Sequence, residues 1–102
     1  MIIYSIEICI TDDIADKWLN WMLDKHIPDL LNTKLFIKYE FYKNIKSDKK
    51  NLYNIQYYME DVNKYIEYKK TFAKKFQTEH AEKFKDKFSS QRNLYKEINH
   101  AD

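Results

Sequence analysis

The sequence contains no glycine, one proline and one cysteine in 102 residues. Each shortage excludes something. Without glycine there is no Gly-rich loop to cradle a phosphate or a dinucleotide. Any backbone position that needs a left-handed φ must fall to Asn or Asp, and Asn32, Asn44 and Asn51 stand in turn-like surroundings. A lone Cys9 rules out an intrachain disulfide. Its place in an apolar alternation marks it as a small hydrophobe, as expected of a reducing, cytoplasmic compartment.

Charge of one sign is also lacking: 18 basic and 16 acidic side chains leave a formal net charge of +2. Such a balance gives no broad field for nucleic acid, which is not an expected partner. No apolar run approaches the roughly 20 residues of a membrane helix. The opening MIIYSIEICI has neither the basic start nor the small-residue cleavage site of a secretory signal, and Glu7 interrupts it. No membrane contact is expected. His26, His80, His100 and Cys9 have no metal-ligand spacing, so no metal site is expected either.

What is present is periodic. The length suits one domain, residues 1–102. Residues 2–11 place Ile2, Tyr4, Ile6, Ile8 and Ile10 on one side and Ser5, Glu7, Cys9 and Thr11 on the other, the pattern of a half-buried strand. Thr11, Asp12 and Asp13 form a capping cluster for a helix striped by Ile14, Ala15, Trp18, Leu19, Trp21 and Met22. Pro28 should break or restart that helix.

Residues 34–45 read as a second strand, with Leu35, Ile37, Tyr39 and Phe41 opposite Phe36, Lys38, Glu40 and Tyr42. A charged turn at 46–50 leads to a third strand at 51–60, with Tyr53, Ile55, Tyr57 and Met59 inward. Asp61 caps a helical region running to about Asp86, with a break expected at Gln77–Thr78. Residues 87–99 supply the fourth strand, with Phe88, Arg92, Leu94 and Ile98 on one side.

The order βαββαβ predicts an α+β, ferredoxin-like fold: a four-stranded antiparallel sheet with helices on one face. The opposite face would carry Phe36, Tyr42, Tyr58 and Tyr95 among Ser5, Glu7, Lys38, Gln56 and Gln91. A mixed aromatic and polar face of this kind suits a partner sheet, which predicts a homodimer through the sheet face.

Three constellations carry possible chemistry. In Trp18-x-x-Trp21-Met22-x-x-x-His26-Ile27-Pro28, His26 either caps helix carbonyls as a cation or sits at a helix–sheet pocket and exchanges protons. In Phe76-x-x-x-His80-x-x-x-Phe84, His80 is either a core histidine kept by one hydrogen bond or a second pocket residue. Arg92, on an apolar strand face, either pairs with Glu79 or a helix C-terminus or anchors an anion. Strand periodicity adds Tyr4, Tyr39 and Tyr57 on the helix-facing side. One cleft would then gather His26, His80, Arg92 and these tyrosines, walled by Trp18 and Trp21. Cys9 faces away from the helices, which disfavours a Cys–His nucleophile. The lysine ridge of Lys69, Lys70, Lys74 and Lys75, continued by Lys83, Lys85 and Lys87, reads as a solvated face.

The segments MIIYSI, WLNWMLDKHIPDLL, YNIQYY and TEHAEKFKDKFSSQRNLY resemble a family of short bacterial proteins defined only as a domain of unknown function. The likeness spans nearly the whole chain. Its pattern falls on Tyr4, Trp21, Met22, His26, Pro28, Gln56, Tyr57, His80, Phe84, Phe88 and Arg92. Lys85 and Lys87 depart from it, standing where members often carry Gly and Arg. The resemblance implies a dimeric α+β barrel, a group that includes small monooxygenases, muconolactone-isomerase-like enzymes, haem-degrading enzymes and non-enzymatic binders.

Three functional readings follow. One is a dimer that binds a small anionic or aromatic molecule through His26, His80 and Arg92. A second is a cofactor-poor enzyme on the same pocket, an isomerase or monooxygenase with His26 or His80 as base. Its haem-degrading version, with His80 as axial ligand, has no paired motif behind it; no cofactor is expected. The third is a structural or protein-binding dimer in which both histidines are core and the lysine ridge contacts an acidic partner.

Overall fold

The computed structural model describes residues 1–99; His100 lies outside them. Four strands, β1 (Ile2–Ile10), β2 (Lys38–Lys43), β3 (Leu52–Met59) and β4 (Phe88–Lys96), form one sheet in the order β2-β3-β1-β4. All three pairings are antiparallel. One helical segment joins β1 to β2: α1 (Ala15–Trp21), a π-turn (Met22–His26) and α2 (Ile27–Leu31). A second joins β3 to β4: α3 (Val62–Thr71) and α4 (Ala73–Lys83). This is the ferredoxin-like α+β arrangement that the order of elements predicts.

The core lies between the helices and the sheet. Ile6, Ile8 and Ile10 of β1 and Ile55, Tyr57 and Met59 of β3 meet Trp18, Met22, Ile27 and Leu30. Period two gives each strand one such face, and β1 and β3, the two central strands, carry most of it. Asp61 caps α3, its carboxylate accepting from the Lys64 amide at 3.2 Å.

Several local expectations fail for physical reasons. The residues before β2 do not follow strand alternation, because Lys34 adopts φ 66° and the strand begins only at Lys38. Phe36 therefore turns into the core against Tyr57 and Tyr68, while Ile37 faces solvent. Left-handed backbone was expected at Asn or Asp, with Asn32, Asn44 and Asn51 as candidates; among the described residues Asp86 meets that expectation and Lys34 departs from it. Asp86 lies between Lys85 and Lys87, so an aspartate makes the turn that a glycine would ease.

Thr11, Asp12 and Asp13 do not cap α1. They form a 3₁₀ turn without a side-chain cap bond, and their acids reach across instead, Asp13 to Lys87 at 2.7 Å and Asp12 to Asn51. Pro28, by contrast, restarts the helix as expected, opening the short α2 after the π-turn. The break in the second helical segment falls at Phe72, whose φ of −120° interrupts it, and Gln77–Thr78 remain helical. Beyond β4, Ile98 is 88% exposed and packs on nothing in the core.

Candidate functional site

Two histidines from different helical segments meet at the centre of the helix layer. His26 closes the π-turn and His80 lies on α4, with ring centroids 5.9 Å apart. Both are buried. Trp18 holds His80 directly: its indole Nε1–H donates to His80 Nε2 at 2.8 Å. Trp21 stacks on His26 at 5.1 Å and 30°, and Phe88 meets the His80 ring edge-on at 4.4 Å.

These surroundings keep both rings neutral. Burial pushes His26 down to about 4, helped by the neighbouring His80 and Arg92 and opposed by Asp29. Burial likewise pushes His80 down to about 4, with Arg92 adding to it. A neutral His26 cannot serve as a cationic cap, and the helix runs on past it to Leu31. His80 does have the single buried hydrogen bond that keeps a histidine in a core.

The histidines border a cavity of about 20 Å³ whose polar lining is Tyr4, His26, Gln77, His80, Ser90 and Arg92. Apolar walls come from Met22, Leu30, Phe76 and Phe88 among others. About 10–15 Å³ suffices for one water, so the enclosed part holds one water-sized group. Arg92 stands at the exposed edge of this cavity on β4. Its Nε donates to the Tyr4 hydroxyl at 3.1 Å and its Nη1 to Ser90 Oγ at 3.4 Å. Neither Glu79 nor any other carboxylate among the described residues forms a salt bridge with it. Burial raises the Tyr4 phenol above its ordinary range despite the guanidinium, so the hydroxyl stays protonated.

Not every expected residue reaches the cavity. Tyr4, His26, His80 and Arg92 line it. Trp18 and Trp21 stand behind the histidines, one as hydrogen-bond donor and the other as a stacked cover. Tyr57 is fully buried with an unpartnered hydroxyl, and burial raises its phenol well above the ordinary value. Tyr39 is exposed on the edge strand β2, paired with Tyr57. With strands about 4.8 Å apart, β2 lies roughly 14 Å from β4, so Tyr39 is out of reach of Arg92. The sequence reading missed Gln77 and Ser90. The alternation Phe88, Ser90, Arg92 pointed to Ser90, whereas Gln77 was masked by its assignment to a helix break.

The donor set does not suit haem through His80. Its Nε2 lone pair already accepts from Trp18, and the enclosed space is the size of one water. Among the described residues, no group of three or more His, Cys, Asp and Glu side chains gathers as a metal site. No helix among them is long and apolar enough to cross a membrane.

On the other side of the sheet, Tyr42 and Tyr58 both donate to the Glu40 carboxylate, the former at 2.7 Å. Asn54 donates to Ser5 at 3.0 Å. Tyr42 and Tyr95 are about half exposed there. Phe36, expected on this face, is absent from it.

This fold defines the chain as a member of the ferredoxin-like α+β class. More particularly, residues 1–98 match the model of a domain of unknown function, DUF4286, and the chain belongs to that family. No protein of curated function matches it in sequence. Among solved structures, HapK from Hahella chejuensis is similar, with a TM-score of 0.72, 10% identity and coverage of 99% of this chain and 96% of that one. A dimeric ferredoxin-like protein from an uncultured marine organism gives 0.72 at 13% identity, covering 98% and 96%. A variant of SnoaB, a cofactor-independent oxygenase from Streptomyces nogalater, gives 0.72 at 11% identity, covering 97% and 95%. At these identities the likeness is one of fold.

Proposed function

We propose that this protein binds a small carboxylate-bearing molecule at the cavity bounded by His26, His80 and Arg92. The observation that carries this reading is Arg92. It is a guanidinium with no carboxylate partner among the described residues, bonded only to two neutral hydroxyls at a cavity edge. Guanidinium matches carboxylate bidentately, and the remaining donors stay available to a ligand. The size of the cavity chooses between the expected ligand types. An aromatic ring does not fit in about 20 Å³, whereas one carboxylate oxygen does, with the rest of the ligand outside.

A cofactor-poor enzyme on the same site is the second reading. It is favoured by His26 Nδ1, a buried nitrogen without a partner, and by SnoaB sharing the fold. Against it, a histidine held near 4 is a weak base at neutral pH. Assembly belongs to the same proposal. The polar, tyrosine-bearing sheet face packs on that of a second copy and leaves both cavities on the outside, as in a cytoplasmic dimeric binder. The marine ferredoxin-like protein, described as dimeric, supports this arrangement.

The test uses benzoate and acetate as probes, followed by tryptophan fluorescence, since Trp18 and Trp21 both contact the histidines. Saturable quenching is expected, weakened at least tenfold in Arg92→Gln, as loss of a charge-assisted pair worth about 1.5–3 kcal/mol requires. No saturable signal with either probe, or equal affinity in Arg92→Gln, overturns the proposal.

A further inference from the structure

The hydrogen bonds around the cavity fix which atoms carry protons. An indole N–H only donates, so His80 Nε2 must present its lone pair to Trp18 at 2.8 Å. A neutral imidazole then carries its proton on Nδ1. Nothing among the described residues accepts that proton. Yet Nδ1 is not one of the sealed, unpartnered atoms, which are His26 Nδ1 and the Tyr57 hydroxyl. It therefore touches open space, and His80 borders the cavity. On the other side, the Tyr4 hydroxyl accepts from Arg92 Nε, which leaves its own proton to be donated elsewhere.

We infer that Trp18 is a positioning residue that holds His80 as the Nδ1–H tautomer, making the cavity a donor cage for a carboxylate oxygen. His80 Nδ1–H, Tyr4 O–H and the Arg92 fork all donate, outnumbering the acceptor oxygens that Gln77 and Ser90 bring to the lining. The ligand half of this inference rests on the carboxylate reading above; the tautomer half stands without it. Trp18 touches no ligand. It is fully buried, 62 residues away in sequence, and acts only through the ring it holds.

The proton position is measured directly by long-range ¹H–¹⁵N correlation on histidine-labelled, ligand-free protein. The His80 signals are assigned by their loss in His80→Asn. Wild type is expected to show a protonated Nδ1 and an unprotonated Nε2. A protonated Nε2 overturns the inference. Trp18→Phe is expected to shift His80 to the Nε2–H form that free neutral histidine prefers, and an unchanged Nδ1–H form in that variant overturns the positioning role.

A second measurement covers the case in which Trp18→Phe does not fold. Asparagine places an amide N–H₂ where Nδ1–H stood, so His80→Asn should keep benzoate affinity within about threefold while His80→Leu loses at least tenfold. Equal losses in the two variants overturn the donor role. Benzamide should bind at least tenfold more weakly than benzoate, and equal affinity overturns the preference for a carboxylate. A wild-type Nδ1–H tautomer with no benzoate binding upholds Trp18 as the positioning residue and overturns the ligand reading alone.

Discussion

Acidification should destabilise this protein through its histidine pair, beginning above the pH at which carboxylates titrate. His26 and His80 are both buried, and in the folded chain each titrates at about 4 against an ordinary value of 6.5. The groups that act on His26 are His80, Asp29, Arg92 and Lys25, and only Asp29 favours its cation. Because the folded value is depressed, the unfolded chain takes up protons first as pH falls. The stability is therefore whole above 6.5 and is lost on descending toward 4.

Linkage gives about 2 kcal/mol lost per histidine between pH 7 and pH 5. Part of the His26 shift comes from the charge of His80, so the two overlap and the pair contributes about 3 kcal/mol. Against a typical domain stability of about 5–15 kcal/mol that is a large share. Urea unfolding followed by tryptophan fluorescence at the two pH values, at one fixed protein concentration, measures it. The His26→Gln, His80→Gln double variant should lose most of the pH dependence whatever its absolute stability. His100 is common to both proteins and cancels in the comparison. A double variant with the wild-type slope between pH 7 and pH 5 would refute the reasoning, because the titrating groups would then lie elsewhere.

Two further outcomes test other parts of the molecule. Tyr57→Phe removes a fully buried hydroxyl that has no partner, so it should stabilise by about 1 kcal/mol and raise Tm by about 4–8 °C in a thermal melt. A comparable loss would mean that the hydroxyl is satisfied. Wild type should sediment as a dimer, and Gln56→Arg, which sets like charges across a twofold sheet contact, should sediment as a folded monomer; a monomeric wild type removes the sheet-face assembly.

How much of this was legible depended on whether a residue's environment was local. Strands β1 and β3 follow period two over most of their length, the exceptions being the buried Ser5 and Leu52, because they are the central strands and their pleat decides burial. Edge strand β2 keeps the expected phase, with Tyr39 and Phe41 opposite Tyr57 and Ile55, but it starts late, since no glycine or asparagine marks the left-handed position at Lys34. The helix break at Phe72 carries no signal in residue type; Phe72 is a partly buried residue packed on Phe76 that happens to join two helices. His26 and His80 were visible as polar members of apolar stripes, and their meeting follows from the fold. The Trp18–His80 bond was not visible, because two groups 62 residues apart are matched only by packing.

Pro28 ties these observations together. In a regular α-helix, residues eight apart drift by about 80° around the axis, so Trp18 and His26 would stand at opposite margins of one apolar stripe. Here Trp18, Met22 and His26 are all buried. The π-turn narrows that spread: one extra residue in the turn, with the Ile27 amide reaching back to the Met22 carbonyl, brings His26 back toward the line of Trp18 and Met22. The same widening relieves the clash that a proline ring makes with the carbonyl four residues earlier, that of Asp24, and spares the missing amide. The proline restarts the helix as the second residue of α2, through the same turn that sets His26 against Trp21 and beside His80. The motif joining Trp21, Met22, His26 and Pro28 is therefore a geometric unit, in which one irregularity accommodates the proline and draws the histidine further inward.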